Sequence, residues 1–333
     1  MTDWPAPETV RLKDIDLAVY RMGPKDWRSA GKPPVFFLHG FPELAYSWRS
    51  QMKALSAAGY PVFAPDLRGY GASAKPEGRE NYTMAKLTGD VRGLLDHYGI
   101  EKAVLVGHDW GALLLWSLPF YMPGRALGYA GLNVPLMPHY PVDPITLFRQ
   151  RFGEEMYIVR FQEEGACEPL LEADVLNTFR FFMRKPAPTS RRPDEVPFSE
   201  KSLDLLTLLQ KGADHWGGEA LMSDADLAPY VAAYTAGGFK APIHWYRNMA
   251  ANWQDQKQFL DADGLLPKVP EPCLMITAEM DRACPPALAD GMEKRVSGPY
   301  TRLDLKGCGH WSQQERADDV NRALLDWLKT FTA

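Results

Sequence analysis

The 333-residue sequence predicts an α/β fold: a mostly parallel central sheet flanked by helices, with a helical block inserted into it. Three observations carry this expectation. Short, continuous apolar runs recur along the chain, as in strands buried on both faces of a parallel sheet. Segments with apolar residues at helical spacing lie between those runs. The alternation then stops between about Leu136 and Ala250, where helical patterns continue alone.

Residues 9–14 and 16–21 alternate and suggest an opening hairpin. The apolar runs are 35–38, 62–65, 103–106 and 129–134, with 273–278 and 301–305 much later. Helices are expected at 48–58, 84–98, 112–121 and 318–331. In the second, Leu87, Val91, Leu94, Leu95 and Tyr98 share one face; in the last, Val320, Leu324, Leu325, Trp327 and Leu328 do. Within the inserted block, Leu203, Leu205, Leu206, Leu208 and Leu209 cluster, and Leu227, Tyr230, Val231 and Tyr234 step helically. A Pro-rich loop, Lys185 through Pro188, Pro193 and Pro197, interrupts it. The chain therefore divides into a core at 1–136 and 251–333 and a helical cap at 137–250. Ligands bind beyond the carboxyl ends of such strands, which places the cap over the site.

Composition narrows the function. Lys and Arg number 37 and Asp and Glu 42, a net charge of −5 with no basic run. No nucleic-acid partner is expected from such a balance. No apolar stretch approaches a membrane span, and the first ten residues carry no secretory pattern. The cysteines, Cys167, Cys273, Cys284 and Cys308, have neither zinc-site nor disulfide-framework spacing. Reduced thiols and a cytoplasmic location are the expectation. Aromatic residues make up 12%, and composition alone does not divide them between core and pocket.

The chemistry starts at Gly107-His108-Asp109-Trp110-Gly111-Ala112, after a strand and before a helix. This has the form of a nucleophile elbow, in which small residues allow a strained turn that presents the central side chain. An Asp capping the next helix is the competing reading. Asp109 stands where such turns usually carry Ser, and that changes the reaction. Serine attacking a saturated carbon would leave an ether that water cannot cleave. A carboxylate forms an ester, hydrolysable at its own carbonyl carbon. Displacement at an sp3 carbon follows, with a halide or an opened epoxide oxygen leaving.

The second step needs a base. His310, in Gly307-Cys308-Gly309-His310-Trp311 after the last strand, stands where the base of such a fold belongs. Glu279 and Asp281 follow the preceding strand; Asp281, further into the loop, is the expected orienter of the imidazole. The other position for an acid, after the strand ending near Leu132, carries Asn133. Backbone amides of Trp110 and of Phe41, in His39-Gly40-Phe41-Pro42-Glu43, are the expected oxyanion donors. His39 is read as structural, holding its loop.

Taken together, these motifs resemble the epoxide hydrolases of the α/β-hydrolase fold, nearly end to end. The resemblance rests on His39-Gly40-Phe41-Pro42-Glu43, Asp66-Leu67-Arg68-Gly69-Tyr70-Gly71, the Asp109 elbow and Cys308-Gly309-His310-Trp311. Two cap segments add to it: Gly238 to Asn248, which ends in Trp245-Tyr246-Arg247-Asn248, and Tyr157-Ile158-Val159-Arg160-Phe161-Gln162. It implies that Tyr157 and Tyr246 bind and protonate the departing oxygen; the family's Phe-Pro bond is often cis, and the sequence leaves the state of Phe41-Pro42 open. His244 departs from the Asn common there, and the phosphatase-like domain fused to the mammalian soluble enzymes is not matched.

The implied reaction is epoxide to vicinal diol. The partners are a small epoxide and water, no metal or organic cofactor is needed, and the chain is a monomer or homodimer. Phe41, Trp110, Trp245 and Trp311 are the expected pocket residues. A haloalkane dehalogenase would use the same Asp-His-Asp set without needing the tyrosines. A fluoroacetate dehalogenase would carry Arg at Trp110. A non-catalytic ligand-binding relative would not need Asp109, Asp281 and His310, and an esterase would carry Ser at the elbow.

Overall fold

The computed structural model describes residues 4–24, 26–29, 31–187 and 203–331. The first strands are β1 (Glu8–Arg11), β2 (Asp16–Met22), β3 (Val35–Leu38) and β4 (Val62–Pro65), with helix α1 (Arg49–Ala57) between the last two. Next come α2 (Met84–His97), β5 (Ala103–His108), α3 (Trp110–Tyr121) and β6 (Ala126–Leu132). The inserted block carries α4 (Pro144–Phe152), α5 (Tyr157–Arg160), α6 (Glu168–Glu172) and α7 (Val175–Phe182). It continues through β7 (Arg184–Lys185), α8 (Leu205–Lys211), β8 (Glu219–Ala220), α9 (Asp224–Gly237), α10 (Lys240–Arg247) and α11 (Met249–Gln256). The sheet resumes with β9 (Cys273–Ala278) and β10 (Tyr300–Leu305), followed by α12 (Ser312–Glu315) and α13 (Ala317–Leu328).

The sheet order is β1-β2-β4-β3-β5-β6-β9-β10. β2 pairs antiparallel with β1 and β4, and every other pairing in this sheet is parallel. Alternate residues of each strand serve opposite faces. On one face, Phe37, Val62, Val104, Leu132 and Ile276 meet Met52 and Leu55 of α1 and Val320, Leu324 and Leu328 of α13. On the other, Phe36, Phe63, Leu105 and Met275 meet Leu87, Val91 and Leu94 of α2 and Leu115 of α3. That second cluster continues into Phe161, Phe179, Tyr230 and Tyr246 of the inserted block. The block is thus sealed to the core by buried side chains, each worth about 1.5–3 kcal/mol.

The element order matches the sequence reading, and the differences are local. β6 runs from 126 to 132 rather than 129 to 134, because Asn133 takes φ 66° and turns the chain out of the sheet. β1 stops at Arg11, where Leu12 N–H bonds back to Ile15 O at 2.8 Å. The block is not wholly helical: β7 and β8 form a two-residue antiparallel ribbon, too short to leave a periodic signal. Of the Pro-rich loop, residues 188–202 lie outside the described residues. No helix among the described residues is long and apolar enough to cross a membrane, and all four cysteines are free.

The block leaves and rejoins the core at one place. Trp253, on α11, stacks on His139 with ring centroids 5.3 Å apart and donates Nε1–H to Tyr140 O at 2.8 Å. Lys257 Nζ covers the same indole, 3.9 Å from its centroid, and α11 packs on α4.

Candidate active site

The elbow joins β5 to α3. A Cβ at Gly107 would run into Gly111, and one at Gly111 into the Leu38 carbonyl, so the turn closes only with glycine at both positions. Asp109 itself sits at φ 52°, ψ −121°, a conformation that L residues avoid. Its side chain takes no part in capping α3, which removes the capping alternative. Instead Oδ1 accepts the Phe41 N–H at 2.8 Å, and Oδ2 lies 3.5 Å from His310 Nε2. Trp110 is the first residue of α3, where a helical N–H has no intrahelical acceptor. Phe41-Pro42 is cis.

His310 Nδ1 meets Asp281 Oδ2 at 2.8 Å. Asp281 is fully buried, yet its carboxylate is satisfied on every side. Oδ1 accepts the amides of Ala283 and Cys284 at 2.9 and 3.0 Å, and Oδ2 also accepts Asn133 Nδ2–H at 2.7 Å. Glu279 serves the neighbouring turn instead, accepting the Gly307 N–H at 2.9 Å. Asn133 is held in turn by Ser312 Oγ at 2.6 Å.

Electrostatics follows from this packing. Burial pushes Asp109 up, but the hydrogen bond and charge of His310 outweigh it and leave its pKa below the usual carboxylate value. Asp281 is lowered in the same way, burial being overcome by His310. Burial alone would lower the His310 pKa; Asp281 and Asp109 on its two sides hold it well above the ordinary value.

A second network lies beneath. His108 is fully buried, with Nδ1 2.8 Å from Glu43 Oε2 and Nε2 2.8 Å from the His310 carbonyl. Glu43 also accepts the Gly40 amide at 3.1 Å and Gln313 Nε2–H at 2.7 Å. This ties the Phe41 loop, the elbow and the histidine loop together. Glu43 and His108 stand within the sequence motifs, where nothing local signals this part. His39 does hold its loop: Nδ1 is 2.9 Å from Gly40 O, and Nε2 accepts the Leu67 amide at 3.0 Å.

The inserted block supplies the opposite wall. Tyr157 begins α5 and Tyr246 lies near the end of α10, their rings 5.9 Å apart and nearly perpendicular. Tyr246 packs edge-on against Trp110 at 4.9 Å and Phe41 at 5.3 Å. Burial, then the Asp109 charge, pushes the Tyr157 pKa well above 10. Burial, then Tyr157 and Asp109, does the same to Tyr246. Both phenols therefore keep their protons. Trp311 lies edge-on to His310 at 4.8 Å and donates to Phe182 O at 2.7 Å. Trp245 is fully buried, packs on Trp110 and Tyr70, and donates to Arg68 O at 3.0 Å.

Asp281, Cys284 and His310 are the one group among the described residues with metal-ligand atoms close together. It is a poor donor set. His310 Nδ1 is already engaged with Asp281, and burial, then Asp281, holds the Cys284 thiol protonated.

Residues 33–154 match the family model for the α/β hydrolase fold. Epoxide hydrolase A of Mycobacterium tuberculosis is 39% identical over 97% of both chains. Bifunctional epoxide hydrolase 2 of Sus scrofa is 35% identical over 90% of this chain and 52% of its own length. The crystal structure of epoxide hydrolase A from Mycobacterium thermoresistibile superposes with a TM-score of 0.82 at 35% identity, covering 98% of each chain.

Proposed function

We propose, for a chain that belongs to the epoxide hydrolases of the α/β-hydrolase fold, that Asp109 is the nucleophile and that Tyr157 and Tyr246 hold the epoxide oxygen. The observation that carries this is the split environment of Asp109. Oδ1 is anchored by the Phe41 amide while Oδ2 remains for attack. Oδ2 attacks the less hindered carbon from behind, and the C–O bond of the ring breaks toward the two phenols. The products are an alkyl ester on Asp109 and an alkoxide, which takes a phenol proton. An alkoxide is a poor leaving group, so a donor there lowers the barrier.

Ester formation also changes the field in the site. Asp109 loses its charge when it is alkylated. That charge raised both phenols and His310. Its disappearance makes the phenols better acids as the alkoxide forms, and it lets His310 give up its proton to the phenolate that results and become a neutral base. His310, oriented by Asp281, then deprotonates a water that attacks the ester carbonyl carbon. Phe41 and Trp110 amides stabilise the oxyanion on Oδ1. The intermediate collapses, the diol oxygen leaves with the second water proton, and Asp109 returns as a carboxylate beside a protonated His310.

Phe41, Trp110, Trp245 and Trp311 complete the pocket in this reading. Residues 137–250 act as the cap over a core of 1–136 and 251–333. The protein works in the cytoplasm as a monomer or homodimer, with no metal or organic cofactor.

A single turnover of styrene oxide in 18O-water tests the covalent step. The label is expected in Asp109, because hydrolysis at the ester carbonyl places solvent oxygen on the enzyme. Label found first in the diol would refute the ester. Faster turnover of a haloalkane than of styrene oxide would assign the site to dehalogenation instead.

A further inference from the structure

We propose that Arg247, paired with Glu168, is a positioning residue that sets the spacing between the Tyr157 and Tyr246 hydroxyls. The inference rests on the reading that those two phenols hold the epoxide oxygen. They come from different helices 89 positions apart in sequence (246 minus 157). Tyr157 sits on a helix of only four residues, too short to hold its place by its own hydrogen bonds. The residue after Tyr246 clamps the backbone just past its end. Arg247 Nε donates to Phe161 O at 2.8 Å, and Nη2 donates to Glu163 O at 3.0 Å. Gln162 adds a second bridge, its Nε2 reaching both Ile158 O at 2.8 Å and Tyr246 O at 3.2 Å.

The guanidinium is itself fixed. Nη2 meets Glu168 Oε1 at 2.7 Å, with both side chains nearly fully buried. Glu168 Oε2 accepts the amides of Gly165 and Cys167 at 3.1 and 3.3 Å. The fork therefore joins the carbonyl end of α5, the start of α6 and the end of α10. A planar, rigid donor set can span these groups, and a lysine ammonium cannot.

Arg247→Lys keeps the buried charge and removes the fork. In single-turnover kinetics with styrene oxide, followed by tryptophan fluorescence, it should slow alkylation on the order of 10- to 100-fold and change ester hydrolysis less than about twofold. A purely structural role would slow both steps alike, and that result, or an unchanged alkylation rate, overturns the proposal. Gln162→Leu cuts the second bridge at a half-buried position and decides the matter if Arg247→Lys does not fold. About threefold to tenfold slower alkylation is expected there, and a wild-type rate overturns the proposal. Tyr157→Phe and Tyr246→Phe are measured alongside. Fast alkylation in those two would sink the phenol reading itself; slow alkylation there, with no effect at Arg247 and Gln162, would sink only the positioning role.

Discussion

The two walls of the site are built by different means. The sheet-side wall combines backbone with a buried side-chain network: a strained residue at φ 52°, amides of Phe41, Ala283 and Cys284 aimed at carboxylates, and the Glu43–His108–Gln313 tie beneath them. The cap-side wall is held by side chains: Arg247, Gln162 and Glu168 bridge short helices whose rings also pack on one another. The division parallels the chemistry. In the proposed mechanism, ring opening needs both walls, whereas ester hydrolysis needs only the sheet side. Damage to one wall should therefore be separable from damage to the other.

The harshest test removes the point that both steps share. Asp109→Ala should lower turnover by at least about 10⁴-fold, with no alkylated protein detectable by mass spectrometry. Next comes the cap wall alone. Tyr157→Phe with Tyr246→Phe should slow ring opening by roughly 10³–10⁴-fold, again with no alkyl-enzyme in the mass spectrum. His310→Gln breaks only the sheet side. Turnover should fall by roughly 10²–10⁴-fold, and here the ester should accumulate as a mass increment equal to the substrate. If the tyrosine variant also accumulated ester, the division between the walls would be wrong.

Milder changes sharpen the comparison. Hydrolysis requires neutral His310, so its rate rises with pH through the His310 pKa in the alkylated enzyme. Asp281 raises that pKa. Asp281→Asn should therefore move the acid limb of the hydrolysis rate to lower pH while lowering its plateau, and should leave the cap-wall step largely unaffected. An acid limb that moves upward would contradict the assignment. Asn133→Ala removes one hydrogen bond to the Asp281 carboxylate. About a tenfold slower hydrolysis is expected, measured as the decay of the ester signal.

The same contrast explains what could be read from the sequence. Asp109, His310, Phe41 and Trp110 lie in contiguous motifs, because a turn is written by the few residues that make it. The strands of the parallel core were legible for the same reason, as local apolar runs. In the sequence, Asn133 reads only as an acid position filled by an amide. That its amide grips Asp281, 148 positions away, depends on a positive φ that nothing in its neighbours specifies. Glu43 and His108 were visible as motif letters, but their joint tie to Gln313 and the His310 carbonyl exists only after folding. The Arg247–Glu168 pair belongs with these, since its members are 79 positions apart. His244, noted as a departure at the Asn position, has Nδ1 3.4 Å from Arg247 Nη1 and so borders the same cluster.

The Trp253 contacts bring residues 139 and 140 beside residues 253 and 257. A chain that departs and returns at one spot leaves the sheet's own connections untouched, whatever lies between. Lengthening such a detour adds little closure entropy, about 0.6 kcal/mol per doubling. The helical insert is thus clipped at its base, so a change in its length need not disturb the strands that carry Asp109 and Asp281.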